Sequence, residues 1–229
     1  MHKKVFLSDD VIVLDINDAI ANGAQRMVFV HPNDPTLLIK VHKHQDPAVF
    51  KRSLDGWFRK KKSLHYSYKE YVEYARVMLS HTNMSIALPI SHMYGFVHTS
   101  LGVGCVTEHV VQENGITGNT VRHKCETMQF TLSDLGLLNE AVTQIFSLGV
   151  RVSDANPGNF VFGYRRASAL GFRPVYGCFL VDGFGDSYPI TVRSWCRWTN
   201  SLGLNDCFKR MSKKIELKWD GRARRFTLP

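Results

Sequence analysis

Residues 150–162, VRVSDANPGNFVF, place an Asp, a Pro and an Asn at fixed offsets between two short apolar, β-branched runs. Asp154 and Asn159 stand five residues apart. That is the D-x-x-x-x-N spacing of a phosphoryl-transfer loop, in which the carboxylate orients an attacking hydroxyl and the carboxamide holds a metal ion. Asp182, 23 residues beyond Asn159, ends a second apolar run and is followed by Gly183, the position of a metal-binding Asp-x-Gly. Two carboxylates and one carboxamide at strand ends suit chemistry that rests on positioning and electrostatics rather than on a covalent intermediate.

These groups need elements to hold them. From Thr131 the pattern is helical: Ser133 and Asp134 are plausible caps, and Leu135, Leu138, Val142, Ile145, Phe146 and Leu148 form an apolar stripe. This helix delivers the chain into a strand, the Asp154 loop and a second strand. Pro157 fixes the turn. Upstream, residues 11–30 read as a hairpin whose glycine turn at Gly23 could cover phosphates with backbone N–H groups, although one glycine is also an ordinary turn. The next strand sets Lys40 between Ile39 and Val41; a lysine in mid-strand either faces solvent at an edge or meets an anion inside. Residues 66–80 repeat Tyr68, Tyr71, Val72, Ala75 and Leu79 at three- and four-residue spacing, an amphipathic helix with Glu70 and Glu73 as its acids. Either glutamate could reach Lys40, or both could face solvent.

Residues 86–111 read as a hairpin whose second strand runs into Glu108, His109 and Val110. An extended connector there could offer backbone N–H and C=O groups to a purine edge. Residues 114–126 carry turn signals and read as a loop, in which His123 and Cys125 are too few to make a metal site. Beyond Asp186, Trp195 and Trp198 read as anchors of a helix, and the basic tail GRARRFTLP as loosely held.

With 229 residues, 44% of them apolar, the chain has ample material for a buried core. No apolar run approaches the length of a membrane span, and MHKKVFLSDD does not read as a signal peptide, which predicts a cytoplasmic protein. Five scattered cysteines without C-x-x-C spacing predict neither a disulfide framework nor a zinc site. The net charge of +9 is concentrated: residues 51–62 carry six bases against one acid, and residues 205–229 eight against three. Such stretches favour anionic partners, peripheral membrane contact included, or are solvated faces. Signatures of sequence-specific nucleic-acid binding (helix-turn-helix, RRM, zinc finger) are absent.

The order of these signals resembles the protein kinase-like fold, with DANPGN close in form to the catalytic loop of kinases. More closely, ANGAQRMVFVHPNDPTLLIKV, KEYVEYARVML, VRVSDANPGNFVFGYRR, RPVYGCFLVDGFGD and the SWCRW segment are similar to the PhoP regulatory network (YrbL-type) family. The resemblance implies an α+β, two-lobed kinase-like domain: a small β-rich N-lobe with one helix over residues 1–111 and a mainly helical C-lobe over 112–229. It implies that Lys40 contacts the phosphates of ATP and that Glu70, rather than Glu73, holds Lys40. Gly23 would lie in the phosphate turn and Glu108, His109 and Val110 in the hinge. Asp154 would be the hydroxyl-orienting base, and Asn159 and Asp182 the Mg²⁺ ligands. Four features depart from the kinase pattern: Ser153 stands before the Asp where Arg is usual, Gly183 follows Asp182 where Phe is usual, the phosphate loop has one glycine, and no A-P-E segment follows. The expected function is ATP- and Mg²⁺-dependent transfer of a γ-phosphate to a hydroxyl of a small or lipid- or sugar-linked anionic acceptor. The alternative is a pseudokinase scaffold or regulatory binding protein in a bacterial stress-response network.

Overall fold

The computed structural model describes residues 11–23, 25–43, 54–81, 88–165, 176–185 and 197–229, with side chains of the first helix from residue 66 and of the last from residue 198. The chain divides into two compact units. One holds the residues up to Tyr68 with His92–His109, the other Lys69–Ser91 with Val110–Pro229.

The first unit is built on a five-stranded antiparallel sheet in the order β1-β2-β3-β5-β4. Its strands are β1 (Ala21–Asn22), β2 (Arg26–His31), β3 (Asp34–His42), β4 (Met93–Thr99) and β5 (Gly102–Glu108). The alternation of bulky side chains along β2 and β3 sends Phe29, Ile39 and Val41 to one core, with Leu14 packed among them. Residues 11–20 do not form the first strand of a hairpin as their β-branched run suggested. Ile12 makes a single bridge to Thr99, and the side chain of Asp15 accepts from the N–H of Asn17 to start a short 3-10 turn over Ile16–Asp18. A side chain that satisfies the backbone locally competes with strand pairing.

Helix α1 (Leu54–Ser80) is longer than the 66–80 expected, and its orientation is reversed. The apolar residues Tyr68, Val72 and Leu79 are 62%, 45% and 76% exposed, whereas Glu70, Glu73 and Val77 are buried. The acids can be buried because they are answered within the second unit. Arg76 donates to Glu73 through Nε and Nη2 at 3.0 and 2.6 Å, and the backbone N–H of Arg151 donates to Glu73 Oε1 at 2.7 Å. A buried carboxylate with several donors meets the condition for leaving water.

The second unit carries a three-stranded sheet, β6 (Asn119–Thr120), β7 (Phe160–Tyr164) and β8 (Tyr176–Leu180), in that order. Residues 121–126 are not loop but a short helix, α2 (Val121–Glu126), capped by Thr120. Helix α3 (Leu132–Ser147) begins at Thr131, not at Ser133 or Asp134. Asp134 completes a capping box with Thr131 and also takes a hydrogen bond from Lys124 at 2.6 Å. Burial pushes the Asp134 carboxyl up, but the bonds from Lys124 and Thr131 bring it below its ordinary range. Arg165, buried, donates to the carbonyls of Leu88 and Ile90 and lies 4.5 Å from the ring centre of Phe179, fixing the segment before β4 to this sheet.

The C-terminus is firmly built. After α4 (Arg197–Ser212), β9 (Lys218–Asp220) and β10 (Arg225–Thr227) form a hairpin. Asn139 of α3 brackets Phe226, donating to its carbonyl at 2.9 Å and accepting from its N–H at 2.7 Å. Phe226 meets Trp219 and Phe208 edge to face, and Phe208 lies tilted against Trp219, at 5.0–5.9 Å between ring centres. The expected loose tail is therefore a docked hairpin, because Phe226 and Trp219 supply an apolar anchor among its bases. The expected anchor Trp198 is instead 70% exposed, and Trp195 lies outside the described residues. Phe226→Ala is expected to lower stability by about 3–5 kcal/mol, and Trp198→Ala to stay within about 0.5 kcal/mol of the parent, read as urea midpoints at constant slope.

Candidate functional site

The Asp154 loop is shaped by main chain. Gly185 N donates to Arg151 O at 2.8 Å, Val152 bridges to Phe184, and the N–H groups of Ser153 and Asp154 both donate to Gly183 O at 2.9 and 3.1 Å. The Ser153 hydroxyl joins them at 3.1 Å. Asn156 caps a 3-10 turn over Pro157–Asn159, its Oδ1 accepting from Gly158 N at 3.0 Å, and its own N–H donates to Asp154 O. Proline at the first position of such a turn loses nothing by lacking an N–H. The result is a stiff loop that leaves the Asp154 side chain exposed.

The glycine after Asp182 is required by space and by backbone. Gly183 has φ +79°, and a Cβ there would come within 2.6 Å of Asp154 O and 2.9 Å of Asn159 Nδ2. Gly185, at φ +95°, would meet Lys69 O at 2.8 Å. These approaches set Asp182-Gly183 directly against Asp154 and Asn159. The N–H of Gly183 donates to Glu70 Oε1 at 3.1 Å, so the glutamate expected to hold Lys40 supports, within its own unit, the Asp182-Gly183 turn.

Asn159 donates Nδ2 to Asp154 O at 3.3 Å, which turns its Oδ1 the other way. An amide oxygen and a carboxylate are both hard donors. Among the described residues no three His, Cys, Asp or Glu gather into a metal cluster. A cation at Asn159 and Asp182 would therefore complete its shell from water and phosphate oxygens, as Mg²⁺ does; the residues fit that ion.

On the first unit, Lys40 sits in mid-sheet between Val28 and Cys105 and is 5% exposed, so it belongs to the buried minority of strand lysines. Gly23 donates its N–H to Arg26 O at 3.0 Å, and a Cβ there would make only an ordinary 3.5 Å contact. The N–H groups of Glu108 and His109 are spent on His92 O and Thr36 O, and the Glu108 carboxylate accepts from His92 N. Val110, assigned to the second unit, accepts at its carbonyl from Gly118 N, while its N–H meets no acceptor among the described residues.

The residues that the pattern did not reveal are Arg151 and Arg76, which hold Glu73, and Arg122 of α2, whose Nη2 donates to Asn156 Oδ1 at 2.7 Å. Arg122 lies 34 positions from its partner, and no local signal marks it.

The model of the PhoP regulatory network protein YrbL family matches residues 12–216. The chain belongs to that family. A comparison with curated proteins gives no match. Among solved structures this family member is similar to Rad53 1–466 in complex with AMP-PNP, at 13% identity and TM-score 0.43 over 89% of this chain and 49% of that one. It is also similar to the kinase domain of PF14_0431, at 14% identity and TM-score 0.44 over 76% and 52%. The chain spans about half the length of each. No helix among the described residues is long and apolar enough to cross a membrane.

Two expectations follow from this geometry. Gly183→Ala should destabilise the chain by at least the roughly 1–2 kcal/mol of a left-handed residue, whereas Gly158→Ala, with 3.5 Å of room, should lie within about 0.5 kcal/mol of the parent; urea unfolding separates them. The second concerns pH. Burial pushes His31 and His109 below the usual imidazole range, against the raising effects of Asp34 and of the Pro35 carbonyl. Folded, each binds fewer protons than unfolded just below pH about 6.5, so stability is full above that pH and declines as pH falls toward the depressed values. Thermal midpoints at pH about 7.5 and 5.5, with both imidazole titrations followed by NMR, check the sign.

Proposed function

We propose that this family member is an ATP- and Mg²⁺-dependent phosphotransferase acting on the hydroxyl of a small or lipid- or sugar-linked anionic acceptor. The observation that carries the reading is the exposed Asp154 on a loop whose main chain is bonded to Gly183, with the Asn159 amide against that same glycine and Asp182 its neighbour in the chain. Asp154 accepts the acceptor's hydroxyl proton and aligns its oxygen. Asn159 and Asp182 hold Mg²⁺, which when bound neutralises phosphate charge. Lys40 takes nucleotide phosphate oxygens, and the Val110 N–H takes an acceptor on the base.

The two acids then have separable duties. ATP·Mg²⁺ at about 100 times Kd should add roughly 2.7 kcal/mol to the stability of the wild-type chain, and a null shift at millimolar nucleotide would sink the reading. Asp182→Asn should weaken nucleotide binding. Asp154→Asn should leave it nearly intact and lower turnover by about 10²- to 10⁴-fold. Slow ATP hydrolysis measured beside nucleotide affinity needs no knowledge of the acceptor, and wild-type turnover equal to that of Asp154→Asn would favour a nucleotide-binding scaffold instead.

A further inference from the structure

Arg122 is not used by the chemistry above, yet it is held at the loop that performs it. The sheet that carries the loop also places α2: β6 pairs Asn119 with Phe162 and Thr120 with Val161 of β7, the strand that begins directly after Asn159. Val121, fully buried, pins the start of the helix. Arg122 then extends over the 3-10 turn. Its Nη2 donates to Asn156 Oδ1 at 2.7 Å, and Nε lies 3.5 Å from where a Cβ of residue 158 would be, so the guanidinium rests against the turn at ordinary contact distance. Asn156 Oδ1 is itself fixed by Gly158 N, so the arginine is bonded to a rigid group rather than to another mobile side chain.

A guanidinium offers five N–H donors in a planar fork. Here one is committed and the residue is exposed. The carboxylates beside the loop, Asp154 and Asp182, repel an anionic acceptor that must bring its hydroxyl to Asp154. A cation held on Asn156, two residues beyond Asp154, with most of its donors uncommitted, offsets that repulsion, and its fork geometry matches a phosphate.

We propose that Arg122 forms an anion subsite beside the Asp154 loop that binds a phosphate group carried by the hydroxyl acceptor. This rests on the phosphotransferase reading for the acceptor's identity, not for the binding. In the transfer step the acceptor oxygen bonds to the γ-phosphorus of the nucleoside triphosphate as the bond to the β–γ bridging oxygen breaks. The hydroxyl proton passes to Asp154, and the nucleoside diphosphate leaves; Arg122 touches only the acceptor's other phosphate and is a positioning residue.

The test uses the full chain without nucleotide. Inorganic phosphate is titrated while the Arg122 Nε resonance is followed, and binding to phosphatidylcholine vesicles is compared with and without phosphatidic acid. A shift of the Arg122 resonance together with about 10-fold or greater weakening in Arg122→Gln, less in Arg122→Lys, supports the subsite. Dependence in the free-phosphate arm assigns a soluble acceptor, and dependence in the vesicle arm alone assigns a lipid-borne one. Asp154→Asn should retain the binding. Arg122→Gln affinity equal to wild type in both arms overturns the subsite, as does a lowered thermal midpoint with equal loss for phosphate and for an uncharged glycerol control, which would mark a prop for Asn156. Arg122-dependent binding in a chain with no nucleotide turnover would leave the subsite standing and overturn the phosphotransferase reading.

Discussion

The main chain of Gly183 ties together three stretches that are distant in sequence. Its carbonyl accepts from Ser153 and Asp154, and its N–H donates to Glu70, 113 positions upstream. Only a residue without a Cβ can occupy that point, since φ is +79° and the nearest obstacle is the Asp154 carbonyl itself. Asp154 is where it is because Gly183 holds its N–H, and Asp182 because its neighbour cannot move away. The buried acids of α1 follow from the same demand. Glu70 is drawn inward by a backbone donor, and Glu73 by Arg76 and Arg151, leaving Tyr68, Val72 and Leu79 of that helix turned outward.

The loop and its spacing were legible in the sequence because they are local: D-x-x-x-x-N and Asp-Gly are short strings whose geometry is set by Pro157, Asn156 and Gly183. The strands β2 to β5 and helix α3 were legible for a related reason, as period-2 and period-3.6 patterns that coincide with burial. The face of α1 was not. Hydrophobic periodicity places apolar residues inward by default, and it cannot register that backbone N–H groups of Arg151 and Gly183, 78 and 113 positions away, make carboxylates the better residues to bury. The same limit applies to Thr131, whose capping role was given to its neighbours, and to the C-terminal hairpin, where eight bases hid two aromatic anchors.

The metal-binding reading is modest in its demands. Asn159 reaches its position by donating to the carbonyl of the residue it serves, so the direction of its oxygen is fixed by the fold rather than by an ion. That preorganisation is what the proposed Mg²⁺ site, with few protein ligands, would need, since most of its coordination would come from water and phosphate oxygens. Lys40, buried in mid-sheet, is likewise fixed by the strands on either side of it.

A loop fastened through main-chain atoms has a consequence for how such a chain can diversify. The bonds that shape residues 151–159 run largely through N–H and C=O groups that every residue but proline possesses. Side chains that face outward from this frame, at position 122 and at the loop's exposed tip, can be exchanged without redrawing the frame. Under the proposed phosphotransfer, acceptor preference would drift by single substitutions while the loop's geometry stays constant, and this segment would be the place to begin re-engineering the chain toward a different acceptor.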